Sequence, residues 1–289
     1  MGKVVSFINM KGGVGKTTLC KEIGFHLAKK RNKKILFIDV DPQINLTQSL
    51  FKRYGFLQNK QLHVSSEGTL QENCKLKHSE ASIEEILNQS VINPPKKEKS
   101  IQILDEDVSI IPGELGLEFS LRNLNSGTLE NGIYKFIEKN DLRSVYDFIL
   151  IDCPPTYSSY TVAALLPSDY FLIPVKPEGY SILGIDMLMK VIDIVVDEKS
   201  IYFESKPLEN LGIVFTDIKR RPSQGIINTL ESIKNSDELK QRDLYYFNEY
   251  FLHNSHIPKD IDYFIDASNN ENSKYNLDLL VDELLERMP

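Results

Sequence analysis

The chain has 289 residues, 41% of them hydrophobic, and a formal net charge of −7. This apolar content is enough for a substantial core, and the negative charge argues against a protein that coats DNA. No apolar run approaches the roughly 18 residues that span a bilayer. Cys20, Cys74 and Cys153 lack the paired spacing of zinc or redox sites, so we expect all three to be structural, in a reducing compartment.

Strand-like and helix-like patterns alternate along the chain without a low-complexity linker. This alternation predicts a single α/β domain over residues 1–289, with a mostly parallel, twisted sheet and helices on both faces. The first predicted strand begins by Lys3, so we expect neither a signal peptide nor a helix-turn-helix ahead of it.

The first strand, over residues 4–8, leads through a glycine-rich turn into an amphipathic helix. Such a turn lets backbone N–H groups converge at a helix N-terminus, which is typical of a phosphate site. Lys16 is placed to reach the β- and γ-phosphates, and the Thr17 hydroxyl to coordinate Mg²⁺. The strict P-loop pattern is not satisfied, because Met10 stands where it requires glycine. A second lysine, Lys11, precedes the glycine pair.

The second strand, over residues 35–38, is followed by two carboxylates, Asp39 and Asp41. Ligands bind at the carboxyl edge of open α/β sheets, so the pair is a candidate for separate roles in a site. By itself the segment reads better as a turn or a helix cap, with Asn45 or Thr47 starting the next helix. The phosphate site upstream favours the functional interpretation.

Residues 58–82 are polar and have little periodicity, and we interpret the region around residues 55–107 as a variable insertion. Ser82 and Glu85 have the spacing of a capping box that opens a helix through Leu87. We expect an exposed turn over residues 93–99, a solvated His78 and a further strand over residues 108–112. The segment is either a surface for partners or a mobile loop, and the sequence does not decide between them.

The third candidate segment, residues 147–155, is an apolar strand that ends in Asp152 and is followed by Pro154 and Pro155. A carboxylate there would hold Mg²⁺ through water. The prolines stop the strand and stiffen the loop that follows. By itself this pattern is weak evidence for a magnesium site. As the third segment after the glycine-rich turn and the Asp39 segment, it is strong evidence.

The remaining elements are strands over residues 169–175 and 211–215, a helix over 182–196 and a final helix over 277–288. The polar face of the final helix is acidic, so it would be repelled by an anionic membrane. We therefore expect it to pack against the domain.

Two basic clusters stand out, over residues 29–34 and 219–221. Cations are common at the C-terminus of a helix, so the first cluster needs no ligand to explain it. The second, Lys219, Arg220 and Arg221, lies in a loop after a strand and is the better candidate for a nucleic-acid contact.

Residues 11–18, KGGVGKTT, resemble the deviant Walker A motif of the ParA/MinD family of P-loop ATPases. The segments at Asp39 and Asp152 resemble the family's Walker A′ and Walker B motifs. The resemblance implies ATP and Mg²⁺ as cofactors and hydrolysis of ATP to ADP and phosphate. In this family the lysine equivalent to Lys11 reaches the phosphates bound by a partner subunit, so the resemblance implies a homodimer on ATP binding.

The same resemblance assigns residues to the site. Catalytic roles fall to Lys11, Lys16 and Asp41, where Asp41 orients the attacking water. Residues 256–259 resemble the loop beside adenine in these proteins. The implied nucleotide-binding residues are Lys11, Gly12, Gly13, Val14, Gly15, Lys16, Thr17 and Thr18, with Thr216, Asp217 and Pro258 near the base; the implied metal-site residues are Thr17, Asp39 and Asp152.

The resemblance predicts an ATPase switch in plasmid or chromosome partitioning. It implies binding to nonspecific DNA in the ATP state, stimulation by a ParB-like centromere-binding protein, and a cytoplasmic, nucleoid-associated location without membrane contact. Two alternatives stay open: a related positioning ATPase for a non-DNA cargo, and a metabolic P-loop enzyme. The lack of added Cys/His clusters disfavours the metabolic enzyme.

Overall fold

The computed structural model describes residues 1–58, 77–88, 94–117, 125–257 and 259–288. The strands are β1 Lys3–Phe7, β2 Ile35–Asp39, β3 Phe56–Gln58, β4 Lys77–Ser79, β5 Gln102–Ile103, β6 Val108–Ile111, β7 Phe148–Asp152, β8 Tyr170–Val175, β9 Glu209–Ile218 and β10 Phe251–Leu252. The helices are α1 Lys16–Arg31, α2 Asn45–Tyr54, α3 Glu84–Leu87, α4 Lys97–Ser100, α5 Ser126–Glu130, α6 Gly132–Lys139, α7 Leu142–Val145, α8 Ser159–Leu165, α9 Ser181–Glu198, α10 Ser200–Phe203, α11 Gln224–Asn235, α12 Asp237–Lys240 and α13 Glu271–Glu286.

Eight strands form one sheet in the order β10-β9-β8-β1-β7-β2-β6-β5. All neighbours are parallel except β5, which pairs antiparallel with β6. In the register of the three central strands, Phe7 and Asp39 both lie opposite Asp152. Parallel strands end at the same edge, so this register places the ends of β1, β2 and β7 side by side.

The sheet has an apolar layer on each face. Alternate residues of β1 divide between the layers, since Val4 belongs to one buried cluster and Val5 to the other. The first layer contains the apolar faces of α6, α8 and α9, and the second contains those of α1, α2 and α13. Strands covered on both sides must be apolar throughout, which explains the fully buried runs of β2, β7 and β8. The predicted fold class is confirmed.

Most predicted elements are present with shifted ends. The strand predicted over residues 211–215 extends to Glu209–Ile218, and the helix over 182–196 to Ser181–Glu198. The last helix begins at Glu271 rather than residue 277, because the Asn270 side chain accepts from the Ser273 N–H at 3.1 Å and caps it there. Its apolar residues are buried, so it is the packing helix that the sequence predicts.

Over residues 55–107, the predicted capping box is wrong, and the predicted exposed turn is right only in its exposure. Ser82 does not form a capping box, because its hydroxyl accepts from the Glu84 N–H at 3.1 Å and donates to Glu114 at 2.8 Å. The predicted exposed turn contains the short helix α4. His78 is exposed in β4, as expected, and β6 is the predicted strand. Residues 59–76, which include Cys74, and 89–93 lie outside the described residues.

No helix in the described ranges is both long enough and apolar enough to cross a bilayer.

Candidate functional site

The turn between β1 and α1 is an open backbone cradle. Gly13 and Gly15 have φ values of 72° and 88°, in the left-handed region that residues with a Cβ rarely adopt. Around Gly12 and Gly13, no described atom lies within 4 Å of the position that a Cβ would take. The cradle therefore faces free space at the N-terminus of a sixteen-residue helix, where an anion is stabilised by amide N–H groups and the helix dipole.

Lys16 supplies the positive charge inside this cradle. The side chain is buried, and its ammonium group donates to the Lys11 carbonyl at 3.1 Å. Burial lowers the pKa of Lys16, while the nearby charges of Asp152 and Asp41 act in the opposite direction. A buried ammonium group suits an anionic ligand such as a polyphosphate, because an opposite charge beside it favours its charged form.

Asp39 and Asp152 end adjacent strands and are fully buried. Asp39 Oδ2 accepts from the N–H and the hydroxyl of Thr47, at 2.8 and 2.7 Å. Among the described residues, Asp39 Oδ1 and both carboxylate oxygens of Asp152 have no hydrogen-bond partner of normal geometry. Burial raises the pKa of Asp39 to about 7 and that of Asp152 well above its usual range; Thr17 lies close enough to oppose the second shift.

These unpartnered buried oxygens fit a hydrated divalent cation. Each would otherwise be a costly exception to the rule that buried polar atoms are hydrogen-bonded. The described residues contain no cluster of three or more His, Cys, Asp or Glu side chains placed to hold a metal directly. That suits Mg²⁺, which keeps several waters and takes few protein ligands beside phosphates. Thr17, Asp39 and Asp152 are therefore consistent with a water-mediated magnesium site.

Asp41 faces the cleft, whereas Asp39 faces the Thr47 backbone and hydroxyl. Asp41 Oδ1 accepts from the Gln43 N–H at 2.9 Å, which closes a tight turn. The turn ends at Ile44, a buried β-branched residue with a φ of 52°. Such a conformation costs about 1–3 kcal/mol, so the fold holds the Asp41 turn in a strained and defined shape.

A cleft of about 450 Å³ joins these parts. It is lined by Gly12, Gly13, Gly15, Lys16, Thr17, Thr18, Lys21, Asp41, Gln43, Asn45, Ser49, Pro155, Ile257 and Ile261. A larger groove of about 770 Å³ lies around Tyr263 and Phe264, but none of the cradle residues lines it. The chemistry therefore belongs to the smaller cleft.

The three residues predicted near adenine, Thr216, Asp217 and Pro258, do not share one environment. Thr216 is buried beneath the cradle, where its hydroxyl donates to the Val14 carbonyl at 2.7 Å. Asp217 pairs with Lys176 at 2.8 Å and His253 at 2.6 Å. Neither lines the described cleft. Pro258 lies outside the described residues, and the residue before it lines the cleft.

Sequence reasoning did not assign Lys21, Ser49 or Ile261 to the site, although all three line the cleft. They come from α1, α2 and the segment after β10, and no motif links them. Ile257, by contrast, belongs to the loop over residues 256–259 that the resemblance places beside adenine. The only signal in the sequence for the other three was Lys21, a lysine shortly after the cradle.

Lys11 does not line the cleft that Lys16 occupies. Its side chain is 40% exposed and its ammonium group pairs with the Glu178 carboxylate in the loop after β8. The hydrogen bond from Lys11 holds the pKa of Glu178 below its usual range. The second lysine thus lies at the edge of the cradle, directed away from the phosphate position of its own chain.

The two basic clusters have different surroundings. In the first, Lys29 pairs with Asp105 at 2.6 Å and Arg31 with Asp278 and Asp282 at 2.8 and 2.6 Å. The first cluster is thus partly neutralised by ion pairs. The second, residues 219–221, is exposed at the carboxyl edge of the sheet.

Of the second cluster, Arg220 donates to the Asn272 side chain at 2.9 Å. Within the described part of the chain, no carboxylate pairs with Lys219 or Arg221. Among the described residues, the second cluster is therefore not neutralised by ion pairs.

Residues 2–204 match the AAA_31 family, an AAA domain. The sporulation initiation inhibitor protein Soj of Bacillus subtilis is 28% identical over 237 residues, which cover 81% of this chain and 79% of Soj. The virulence plasmid ParA family protein pGP5-D of Chlamydia psittaci is 28% identical over 233 residues, 80% of this chain and 76% of that protein. Both relatives are similar over most of their lengths.

Solved structures share the fold. An ATP complex of a McdA variant from Cyanothece superposes with a TM-score of 0.72 at 18% identity, covering 98% of this chain and 96% of that one. Cobyrinic acid a,c-diamide synthase from Mycobacterium smegmatis, with bound ATP analog and magnesium, gives 0.68 at 19% identity and covers 100% and 96%. With the cradle, the buried carboxylates and the matched family, these findings lead to one conclusion. The chain belongs to this family of AAA domains and is a P-loop ATPase of the ParA/MinD type.

Proposed function

We propose that this ATPase is a switch for partitioning plasmid or chromosomal DNA, which dimerises on binding ATP and Mg²⁺. The observation that carries the proposal is the placement of Lys11. One lysine of the motif lines the cleft, and the other is 40% exposed and pairs with Glu178 of the same chain. A cation so placed acts on phosphates only when a second subunit closes over the edge.

The residues of one subunit have defined tasks in this proposal. The bound ATP and Mg²⁺ supply the phosphoryl group and the charge neutralisation for its transfer to water. Lys16 and the cradle amides hold the β- and γ-phosphates. The Thr17 hydroxyl would coordinate the metal, Asp152 would hold it through water, and Asp39 would support its water shell. Asp41, fixed by its tight turn, positions the attacking water.

Dimerisation requires Lys11 to leave Glu178. Both side chains are about 40% exposed, and an exposed ion pair is worth about 0–1 kcal/mol. The contact is therefore weak enough to exchange for the phosphates of a partner's nucleotide. A lysine delivered in trans makes hydrolysis depend on the dimer, which gives slow basal turnover and leaves room for stimulation by a ParB-like protein.

We assign DNA contacts in the ATP dimer to Lys219, Arg220 and Arg221. They lie at the same edge of the sheet as the cleft, and no neighbouring carboxylate pairs with Lys219 or Arg221 in the described ranges. With a net charge of −7, attraction to phosphates must come from such a local patch. The plasmid ParA family name of one relative supports a DNA cargo. In the ATP state the protein would then be nucleoid-associated.

The test is binding to random duplex DNA with ATP, with ADP and without nucleotide, over a range of salt concentrations. Retention only with ATP, weakening steeply as salt rises, supports the proposal. Sedimentation velocity on the same samples should show a dimer only with ATP. Replacing Lys219, Arg220 and Arg221 with alanine should abolish retention and leave the dimer.

The matched control replaces Lys30, Lys33 and Lys34 with alanine. This variant loses the same amount of positive charge, but near the C-terminus of α1 and not in the loop after β9. DNA retention by that variant should stay within about threefold of the wild type. An ATP dimer that does not retain DNA would indicate a non-DNA cargo. Turnover of a small substrate by a monomer would indicate a metabolic enzyme. Either result overturns the partition switch.

A further inference from the structure

Two opposite charges lie buried on α1, one turn beyond the phosphate cradle. Lys21 is 5% exposed and Glu22 is fully buried, and Lys21 Nζ lies 3.4 Å from Glu22 Oε1. Burying an ammonium group and a carboxylate costs several kcal/mol for each unless both are paired and hydrogen-bonded. Neither residue has a task in the mechanism above, so their remaining contacts need an explanation.

Both side chains hold main-chain atoms of one segment, residues 261–266. Lys21 Nζ donates to the Tyr263 carbonyl at 2.7 Å, and Glu22 Oε2 accepts from the Ile265 N–H at 2.8 Å. The ammonium group also lies 4.4 Å from the centre of the Phe264 ring. The segment runs between β10 and α13 and belongs to neither. Its position is therefore set by side chains of other elements and not by a sheet ladder.

The same segment forms one end of the nucleotide cleft. Ile261 and Ile257 line the cleft, and so does Lys21. Lys16 and Thr17 mark the end that takes the phosphates, so the apolar end formed by the isoleucines is left for the nucleoside. An apolar wall suits the face of a base, and the aliphatic stem of Lys21 extends that wall.

We propose that Lys21 and Glu22 are positioning residues for the nucleoside end of the site. They fix the segment that carries Ile261 against α1, the helix that begins at the phosphate cradle. The pair therefore sets the distance between the two ends of the cleft. It governs affinity for a nucleoside triphosphate and leaves phosphate binding and the chemical step unchanged.

The electrostatics agree with a positioning role. Burial raises the pKa of Glu22 to about 7, opposed by Lys21 and by the Ile265 N–H. Burial also lowers the pKa of Lys21, opposed by Glu22. A buried ion pair is weak evidence for stability, because apolar packing often serves as well. Directed hydrogen bonds to two main-chain atoms define the place of the segment in a way that apolar packing does not.

The test compares ATP with inorganic tripolyphosphate, each with Mg²⁺, on the full chain and its Lys21→Met variant. Methionine keeps an apolar stem and removes the donor. Calorimetry should show ATP binding about tenfold weaker, which corresponds to about 1.4 kcal/mol, and tripolyphosphate binding changed by less than about twofold. In steady-state hydrolysis, KM should rise and kcat at saturating ATP should stay within about twofold.

Two further variants sharpen the result. Lys21→Arg should restore most of the ATP affinity, because a guanidinium group can donate to the Tyr263 carbonyl. Lys52→Met is the control: Lys52 also contacts the segment, through Asp262 at 3.1 Å, but its side chain is 56% exposed. An exposed pair contributes little, so ATP binding should change by less than about twofold.

Equal weakening of ATP and tripolyphosphate would place Lys21 at the phosphates and overturn the proposal. Unchanged ATP binding by Lys21→Met would overturn it as well. If circular dichroism shows that this variant is unfolded, Glu22→Gln decides: its amide oxygen still accepts from Ile265, but the ion pair is gone. ATP binding about threefold weaker, with tripolyphosphate unchanged, supports the proposal, and any other result rejects it. These readouts need only nucleotide binding, so they stay interpretable if the protein neither dimerises nor binds DNA.

Discussion

The two ends of the nucleotide cleft are built in different ways. The proposed phosphate end is one continuous stretch, residues 11–18, which offers main-chain N–H groups and two left-handed glycines. The proposed nucleoside end is an irregular segment that side chains of α1 and α2 hold at main-chain atoms. A site made by local backbone tolerates few substitutions. A site made by side-chain contacts can change its fit without losing the fold.

The largest expected effect is at the phosphate end. Lys16→Ala should lower ATP hydrolysis by at least about a hundredfold, because it removes the charge that stabilises the transferring phosphoryl group. Steady-state phosphate release measures this, and Lys30→Ala, an exposed lysine on the same helix, is the control. Hydrolysis within threefold of the wild type would place the reaction outside this cradle.

Alanine substitutions at two glycines of the cradle distinguish the loss of ligand binding from the effect of backbone strain on stability. Gly12→Ala and Gly13→Ala should both weaken ATP binding about tenfold, because each methyl group enters space that faces the ligand. Only Gly13 has a positive φ, so only Gly13→Ala should also lower the Tm, by about 2–4 °C. Calorimetry and thermal unfolding measure the two effects. Equal Tm losses in both variants would show that strain is not confined to Gly13.

The buried carboxylates give the nucleotide-free protein an unusual pH dependence. The pKa of Asp39 in the folded protein, about 7, lies above its ordinary value near 4. The stability contributed by the protonated carboxyl is fully present below pH 4 and is lost as the pH rises through 7. Asp39→Asn should therefore gain Tm over the wild type, by several degrees at pH 8 and by less at pH 5. A gain that does not change with pH would contradict the raised pKa.

The smallest expected effect is at Glu178. Glu178→Gln weakens the pairing that holds Lys11 within its own chain, so the ATP dimer should become about two- to fivefold tighter. Sedimentation equilibrium with a non-hydrolysable ATP analogue measures the dimer constant. Because the pair is exposed, the difference should shrink at high salt. A weaker dimer would mean that Glu178 itself belongs to the interface.

The contrast between the two ends also explains what the sequence could predict. Asp39 and Asp152 end strands, and the cradle and Asp41 follow strands within a few residues, so a parallel fold is enough to bring them together. The parts of the nucleoside end are far apart in the chain and carry no shared pattern. Thr216 and Ile261 show the difference: the first, predicted near the base, supports the cradle from below, and the second, unpredicted, lines the cleft.

A local signal also failed at Ser82. Ser82 has the spacing of a capping box with Glu85, but its hydroxyl accepts from the Glu84 N–H and donates to Glu114, a partner from another loop. Single-sequence reasoning weighs neighbours within a turn and has no access to a partner from another loop. The start of α13 was missed for a different reason. Asn270 caps its first turn, but that turn is polar and carries no apolar repeat to mark it as helix.

The hydroxyl of Thr216 has a mechanical consequence. It bonds the last part of β9 to Val14 in the cradle, and β9 runs on directly into the turn that carries Lys219, Arg220 and Arg221. Any displacement of Val14 when the triphosphate enters or leaves must either break that bond or pull on the strand. Thr216 thus links the glycine-rich cradle to the strand that leads directly into the proposed DNA-contact residues.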